Sequence, residues 1–502
     1  MFKADESSAL NAHLDLLEQT KNHVEKHPVT YKKIRELLTH YKTIELTLER
    51  IYAQEPLSVT ELFEVKSFAV MTIKLNQIIQ EKSCFDAISL SSMKPVVSLL
   101  DPEEIGINSF YIYDGYSKTL KAIRDRLRQL ETLISSDKKA KREELSKTYK
   151  IKVRPNGECT VKKHEKELLD ILDNHDDFIY VSDTMMHRTY KVRISDEIKQ
   201  HEAEMDRLRL EEEEEELAIR QLLTSQLGDY LDDLKHNISE IARMDLLLAK
   251  AYFAIAYQMS RPRIGTGCKI KNGIHLKVQE YLAKEDLKFM PISIDLDRGM
   301  TCITGANMGG KTICLRLLGQ MQMMAQYGLF VPCESFEFEL QSFIFLSSQD
   351  AQSIDKGLST FGAEMVNVSK VLDLADKKGL ILIDELARGT NPKEGYAISK
   401  AIINFLKKKL SVSVITTHFD GLADEEDVLH LQVKGLKDVD FEDLEINMTS
   451  IGLIHQLMDY RLEIINGPEA VPKDAIRISK VMGVDEKILE DARRILENRE
   501  ES

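Results

Sequence analysis

The sequence predicts a multidomain protein. An α-helical core and lever domain carries a small β clamp-like insertion. An α/β P-loop domain of ATPase type follows, then a C-terminal helix-turn-helix. Three observations predict this. Gly305-Ala306-Asn307-Met308-Gly309-Gly310-Lys311-Thr312 fits the phosphate-loop pattern G-x-x-x-x-G-K-[ST] between a strand-like and a helix-like run. The N-terminal half is dominated by apolar residues at helical spacing. Turn and strand signals interrupt it only between two long helical patterns.

Taken in chain order, 30–52 and 58–81 show heptad-like apolar spacing, and 112–134 and 196–257 are longer. Helices of that length form levers or coiled bundles. Residues 138–166 hold eleven Lys/Arg and four Glu, a local charge of about +7. Within them Tyr149-Lys150-Ile151-Lys152-Val153, a Pro155-Asn156-Gly157 turn and Cys159-Thr160-Val161 read as a hairpin. Lys150, Lys152, Arg154, Lys162 and Lys163 would present cations to a nucleic-acid backbone, or the stretch is a solvated loop at a Lys-rich helix junction. The run 178–190 looks like a return strand into the next long helix. The six acids Glu211 to Glu216 read as a solvated helix face, or as a partner-binding one. The expected domains are 1–137 (helical core), 138–193 (basic insertion), 194–260 (long lever helix), 261–470 (ATPase) and 471–502 (helix-turn-helix dimerisation segment).

In the P-loop domain, the β-branched run Met300-Thr301-Cys302-Ile303-Thr304 predicts a buried strand, and 313–327 predicts a helix beginning at Ile313. Glycines let backbone N–H groups curl around an anion, and the helix N-terminus adds a favourable dipole. Lys311 would reach the β- and γ-phosphates of ATP, and Thr312 would ligate Mg²⁺. About seventy residues on, Leu380-Ile381-Leu382-Ile383 predicts a parallel strand delivering Asp384 and Glu385 at its C-terminal end. Asp384 would hold the Mg²⁺ shell and Glu385 would polarise the attacking water. Residues 412–417 form another β-rich run, ending at His418, which could touch the γ-phosphate.

Four stretches, TGANMGGKT (304–312), STFGAEM (359–365), IDELARGT (383–390) and TTHF (416–419), resemble the ATPase domain of the MutS family, a branch of the ABC-type ATPases. Clear similarity covers about 273–422. The resemblance implies an ATP-hydrolysing homodimer with composite sites. Ser359 would contact the γ-phosphate bound by the opposite subunit. Asn391 would lie in the loop crossing the dimer interface. Phe289 would stack on adenine, its alternative being a core phenylalanine. The lever-and-clamp layout of the family fits the helical half, with a small clamp; Leu100-Asp101-Pro102 and 109–124 resemble the start of the lever. The Phe-x-Glu mismatch wedge, the connector domain and a C-terminal Smr nuclease domain are not found in this sequence. The C-terminal residues 474–482, Gly483 and 485–498 would form a helix-turn-helix that packs on the partner subunit, or, as the sharper alternative, reads DNA.

Length and composition fit this plan. At 502 residues, two to four domains are expected. Hydrophobic content of 43% with 30% charged residues is globular. No apolar run approaches the ~20 residues a membrane span needs, so no membrane is expected. Six cysteines without C-x-x-C pairs point to a reducing cytoplasm and against zinc. The net charge of −15 disfavours nucleic-acid binding over the whole surface but not at a local basic site. Two clients stay open. One is DNA, held through its phosphates. The other is a client enzyme or partner subunit, as for the MutS-like ATPase of the reactivase for adenosylcobalamin-dependent lysine 5,6-aminomutase.

Overall fold

The computed structural model describes residues 1–3, 5–82, 85, 87–104, 109–284, 286–305, 310–347, 360–387, 389–436, 458–465, 476, 479 and 484–500. The chain divides into two compact units, Val29–Met244 and Met1–Pro28 with Asp245–Ser502. The first helix, α1 (Ser7–Lys26), therefore leaves the helices that follow it in sequence. Its unit is set by specific partners. The Phe2 N–H donates to Gln326 O and the Gln326 amide returns a bond to Phe2 O. Arg261 pairs with Asp15 and Glu18. The expected helical core over 1–137 thus begins, as a packed body, after Pro28.

The helical unit opens with α2 (Pro28–Leu38), α3 (Glu45–Tyr52), α4 (Val59–Lys82) and α5 (Lys94–Leu100). The heptad-like pattern over 30–52 is thus two helices, not one. Beneath α4, Lys66 is fully buried, its ammonium donating to Asp101 (2.8 Å), to Tyr113 Oη (3.0 Å) and to Ser109 O (3.1 Å). A buried charge needs such partners, because its desolvation cost is otherwise prohibitive.

The longest pair is α6 (Lys118–Tyr149) against α8 (Asp196–Gly228). Ser117 caps α6 by accepting from the N–H groups of Thr119 and Leu120, and Ser195 caps α8 by accepting from Ile198 N–H. Ile123, Leu127, Leu130 and Ile134, spaced four, three and four apart, meet Ile198, Met205 and Leu208 in a coiled-coil seam. The acidic run is not a bare solvated face. Arg124 bonds to Glu212 (2.7 Å) and Glu216 (2.5 Å), and Ser117 donates to Glu215 (2.6 Å). These acids pin α8 to α6. The expected lever helix over 194–260 is two helices, α8 and α9 (Leu231–Ala256), broken at Asp229-Tyr230.

Between α6 and α8 lies a three-stranded antiparallel sheet in the order β1-β3-β2: β1 (Glu158–Lys162), β2 (Phe178–Asp183) and β3 (His187–Val192), with α7 (Lys166–Asp173) beside it. The expected hairpin of 149–153 with 159–161 does not form. Helix α6 runs to Tyr149 and stops on Lys150 in the left-handed region (φ 50°). Cys159 and Val161 instead face Tyr190 and Arg188 of β3 across the register. Burial decides the pairing: Cys159, Val161, Phe178, Tyr190, Leu145 and Leu172 close one small core. A two-strand hairpin alone could not bury them.

The other unit holds two sheets. One has four strands in the order β4-β8-β5-β6: β4 (Arg263–Ile264), β5 (Cys268–Gly273), β6 (Ile292–Leu296) and β8 (Ser335–Phe338). Helix α10 (Leu276–Ala283) lies between β5 and β6 in sequence. The second sheet has six strands in the order β13-β12-β7-β11-β10-β9. These are β7 (Gly299–Thr304), β9 (Phe343–Ser347), β10 (Gly379–Ile383), β11 (Val412–Thr416), β12 (Val428–Leu436) and β13 (Met458–Ile464). All neighbours run parallel except β13. Both faces are covered, so the central strands read as continuous apolar runs. On one face α12 (Thr360–Leu372) and α13 (Pro392–Leu406) pack Val368, Val371, Ile402, Ile403 and Leu406 against Ile381, Ile383 and Ile415. On the other, Gly319 of α11 (Lys311–Gln326) lies against Leu382.

A last helix, α14 (Glu486–Glu500), matches the second helix expected at the C-terminus; the first, over 474–482, lies almost entirely outside the described residues. Among the described residues no helix is long and apolar enough to cross a membrane.

Candidate active site

Strand register builds the site. Thr416 lies opposite Ile303, and Ile383 opposite Ile415, so β7, β11 and β10 end level with one another. Ligands of open parallel sheets bind beyond such carboxyl ends. The strand carrying Asp384 is two places from the one feeding the phosphate loop, about 10 Å away at ordinary strand spacing. Helix α11 and the intervening β11 bridge that gap.

Two glycines shape the loop. Gly305 has φ 137° and Gly310 φ 96°, both hostile to an L side chain. A Cβ on Gly310 would also meet the Tyr460 ring at 2.2 Å. Lys311, the first residue of α11, is buried; its ammonium donates to Gly305 O (2.7 Å) and lies 3.8 Å from a Glu385 carboxylate oxygen. Ala306, Asn307, Met308 and Gly309 lie outside the described residues, as does Ser359.

The Asp384 carboxylate joins the two sides. Thr312 Oγ1 donates to one oxygen (2.8 Å) and Thr416 Oγ1 to the other (2.7 Å). Thr416 in turn accepts from the Glu385 N–H (2.8 Å). Glu385 itself has φ 49°. A non-glycine residue there is held by its surroundings, and such strain concentrates at functional positions. Just beyond, the Ala387 N–H donates to the Glu364 carboxylate of α12 (3.2 Å). Burial pushes the Glu364 carboxyl above its ordinary range, and that N–H bond partly opposes the shift. The 359–365 and 383–390 motifs are thereby tied to each other.

The structure thus brings together Lys311, Thr312, Asp384 and Glu385. Ile313 follows in the first turn of α11, partly buried. His418 follows β11 with an exposed side chain tilted against Phe419, ring centroids 4.4 Å apart. Asn391 has a local job: its side chain caps α13 by accepting from Lys393 N–H (3.0 Å). The Asn-Pro pair at the helix start is the signal for that. Phe289 is buried and stacks on Tyr460, 5.9 Å between centroids at 13°.

Three residues with no individual role in the sequence analysis join the site. Thr416 is the hub just described. Tyr460, on β13, packs between Phe289 and Gly310, and burial holds its phenol well above the ordinary range. His430, on β12, shares a 2.8 Å hydrogen bond with Thr304 Oγ1 at the entrance to the loop. Tyr460 and His430 come from sequence beyond the recognisable motifs, and no local pattern marks them.

Residues 301–500 match the family described as MutS domain V. The chain belongs to the MutS family. Among its relatives, the endonuclease MutS2 of Caldicellulosiruptor saccharolyticus is 31% identical over 353 residues, covering 67% of this chain and 43% of that protein. That of Halalkalibacterium halodurans is 34% identical over 283 residues, 54% of this chain and 32% of the relative. That of Shouchella clausii is 26% identical over 464 residues, 87% and 54%. The chain spans about a third to a half of the length of these curated relatives.

Proposed function

We propose that this chain binds ATP with Mg²⁺, hydrolyses it as a dimer, and uses that cycle to move helical levers on DNA. The observation that carries the reading is the single cluster of Lys311, Thr312, Asp384, Thr416 and Glu385 where three parallel strands end. Its donor set fits a hard divalent cation: a hydroxyl and a carboxylate, 2.8 Å apart, both oxygen. It also requires one, since two carboxylates beside a triphosphate would repel it. Bound Mg²⁺ would supply charge neutralisation on the phosphate oxygens. Lys311 would exchange Gly305 O and Glu385 for phosphate oxygens. Thr416 would hold Asp384 and the Glu385 backbone in register. Glu385 would take the proton of the attacking water. Phe289 and Tyr460 would form the wall against which the adenine rests. Ser359 and the Asn391 loop would complete the site of a second copy, and His418 would report the γ-phosphate.

The first test is ATP turnover. Wild type should release phosphate in a Mg²⁺-dependent way. Lys311→Ala should abolish nucleotide binding or turnover; an unchanged rate would remove the site assignment.

DNA is favoured as client by the similarity to MutS2 proteins and by the exposed cations Lys150, Lys152, Arg154, Lys162 and Lys163. Binding should weaken steeply with salt, with a log–log slope of about −0.9 per phosphate neutralised. Reversing Lys152 and Arg154 to Glu should weaken binding alike on all sequences. No binding to duplex even at low salt would end the DNA reading and leave a protein client, as in the reactivase alternative.

A further inference from the structure

We propose that the β2–β3 hairpin tip, Met185-Met186, is a wedge that enters between stacked bases of duplex DNA, with Lys162 and Lys163 beside it. The inference rests on the DNA reading above and adds to it a contact that no phosphate-binding surface requires.

The tip is unusual in its exposure. Met185 is 98% exposed and Met186 71%. A thioether side chain left in water on a turn gains nothing from folding, since burial is what stabilises it. Its mounting is firm. The Thr184 N–H donates to His187 O (2.8 Å), and Thr184 Oγ1 accepts from the His187 N–H (3.0 Å). The two methionines are thus the central pair of a closed turn. The Lys163 N–H donates to Met186 O (2.9 Å), which ties the tip to the end of β1. Behind the tip, β3 is the central strand over the small apolar core.

Charge selects the occupant. In register, Lys162 lies opposite His187, so Lys162, Lys163 and His164 line up beside the methionines. Lys163 is steadied by Asp183 (3.1 Å), and Asp183 also holds Arg188 (3.0 Å). Lys150, Lys152 and Arg154 belong to the opposite end of β1, about five residues or ~16 Å away. The stretch 138–166 stays strongly cationic in a chain of net charge −15. An apolar point beside cations on a hydrogen-bonded β-arm fits the way architectural proteins unstack a base step and bend the duplex. Ile179, Tyr180 and Val181 of β2 are exposed behind the tip, so it is the lysines beside the methionines that favour DNA over a protein partner.

The test uses the full chain and a 30-base-pair duplex with 2-aminopurine at a central TA step and a fluorophore at each end. Wild type should raise 2-aminopurine emission several-fold and shorten the end-to-end distance. Met185→Ala with Met186→Ala should lose both signals. It should bind about 3- to 10-fold more weakly, with the salt slope and ATP turnover unchanged. Lys162→Glu with Lys163→Glu should instead reduce the salt slope. Both pairs are exposed, so folding should survive, and an unchanged far-UV spectrum checks it. Binding without unstacking by wild type, or unstacking retained by the double alanine variant, overturns the wedge alone. Loss of self-association in place of the DNA signals would assign the tip to a protein contact and overturn it as well. No duplex binding at any salt overturns both the wedge and the DNA reading.

Discussion

Glu385→Gln is expected to cut ATP turnover by at least about a hundredfold while leaving ATP bound. The amide keeps the shape of the side chain and loses its basicity. Everything around it stays: the Glu385 N–H still donates to Thr416, and Thr416 still holds Asp384. Lys311 loses its 3.8 Å carboxylate neighbour, which frees it for phosphate and should if anything tighten binding. Equilibrium binding of ATP and single-turnover phosphate release measure the two halves separately. Turnover near the wild-type rate would show that another group takes the proton. Loss of binding together with turnover would show that Glu385 supports the fold of the loop instead.

The largest effect on stability is expected far from the nucleotide, at Asp101. Among the described residues, replacing it with Ala leaves the buried Lys66 ammonium with Tyr113 Oη and Ser109 O as acceptors. Breaking a buried pair this way costs about 3–5 kcal/mol. The Phe110 ring, its centroid 5.9 Å from the ammonium, offsets only part of that. Hydrogen exchange on peptides from α4 and α5 reads the loss locally, which suits a chain of two compact units. Replacing both partners, Lys66→Met with Asp101→Leu, should recover most of it. A single Asp101→Ala variant with wild-type protection would mean the charge finds water.

Much of the nucleotide half was legible because its determinants are local. A parallel strand covered on both faces is a continuous apolar run, and Met300 to Thr304 and Leu380 to Ile383 carry no competing pattern. The phosphate loop is constrained residue by residue, so its motif survives reading in one dimension. Where the sequence misled, the deciding contact came from afar. Residues 149–153 carry a good strand pattern and a good turn, yet Cys159 and Val161 gain more by pairing with Tyr190 and Arg188 of β3. Thr416 acts through Asp384, 32 residues away, and His430 through Thr304, 126 residues away, while Tyr460 packs on the still more distant Phe289 and Gly310. The pattern over 196–257 hid a break at Asp229-Tyr230, because the apolar spacing resumes past Gly228, the glycine that ends α8.

The placement of α1 bears on how the protein is made. The helix is synthesised before Val29–Met244, yet its partners Gly328, Lys250 and Arg261 all come after that unit. At ribosomal rates of about 5–20 residues per second, they emerge on the order of ten seconds or more later. During that interval Leu10, Leu14 and Leu17, all buried in the finished fold, have no native surface to meet. The helical unit can close on itself first, and the nucleotide-type unit is completed only when α1 meets segments that follow Met244. Topology thus lets a helix translated ahead of the helical unit dock after it.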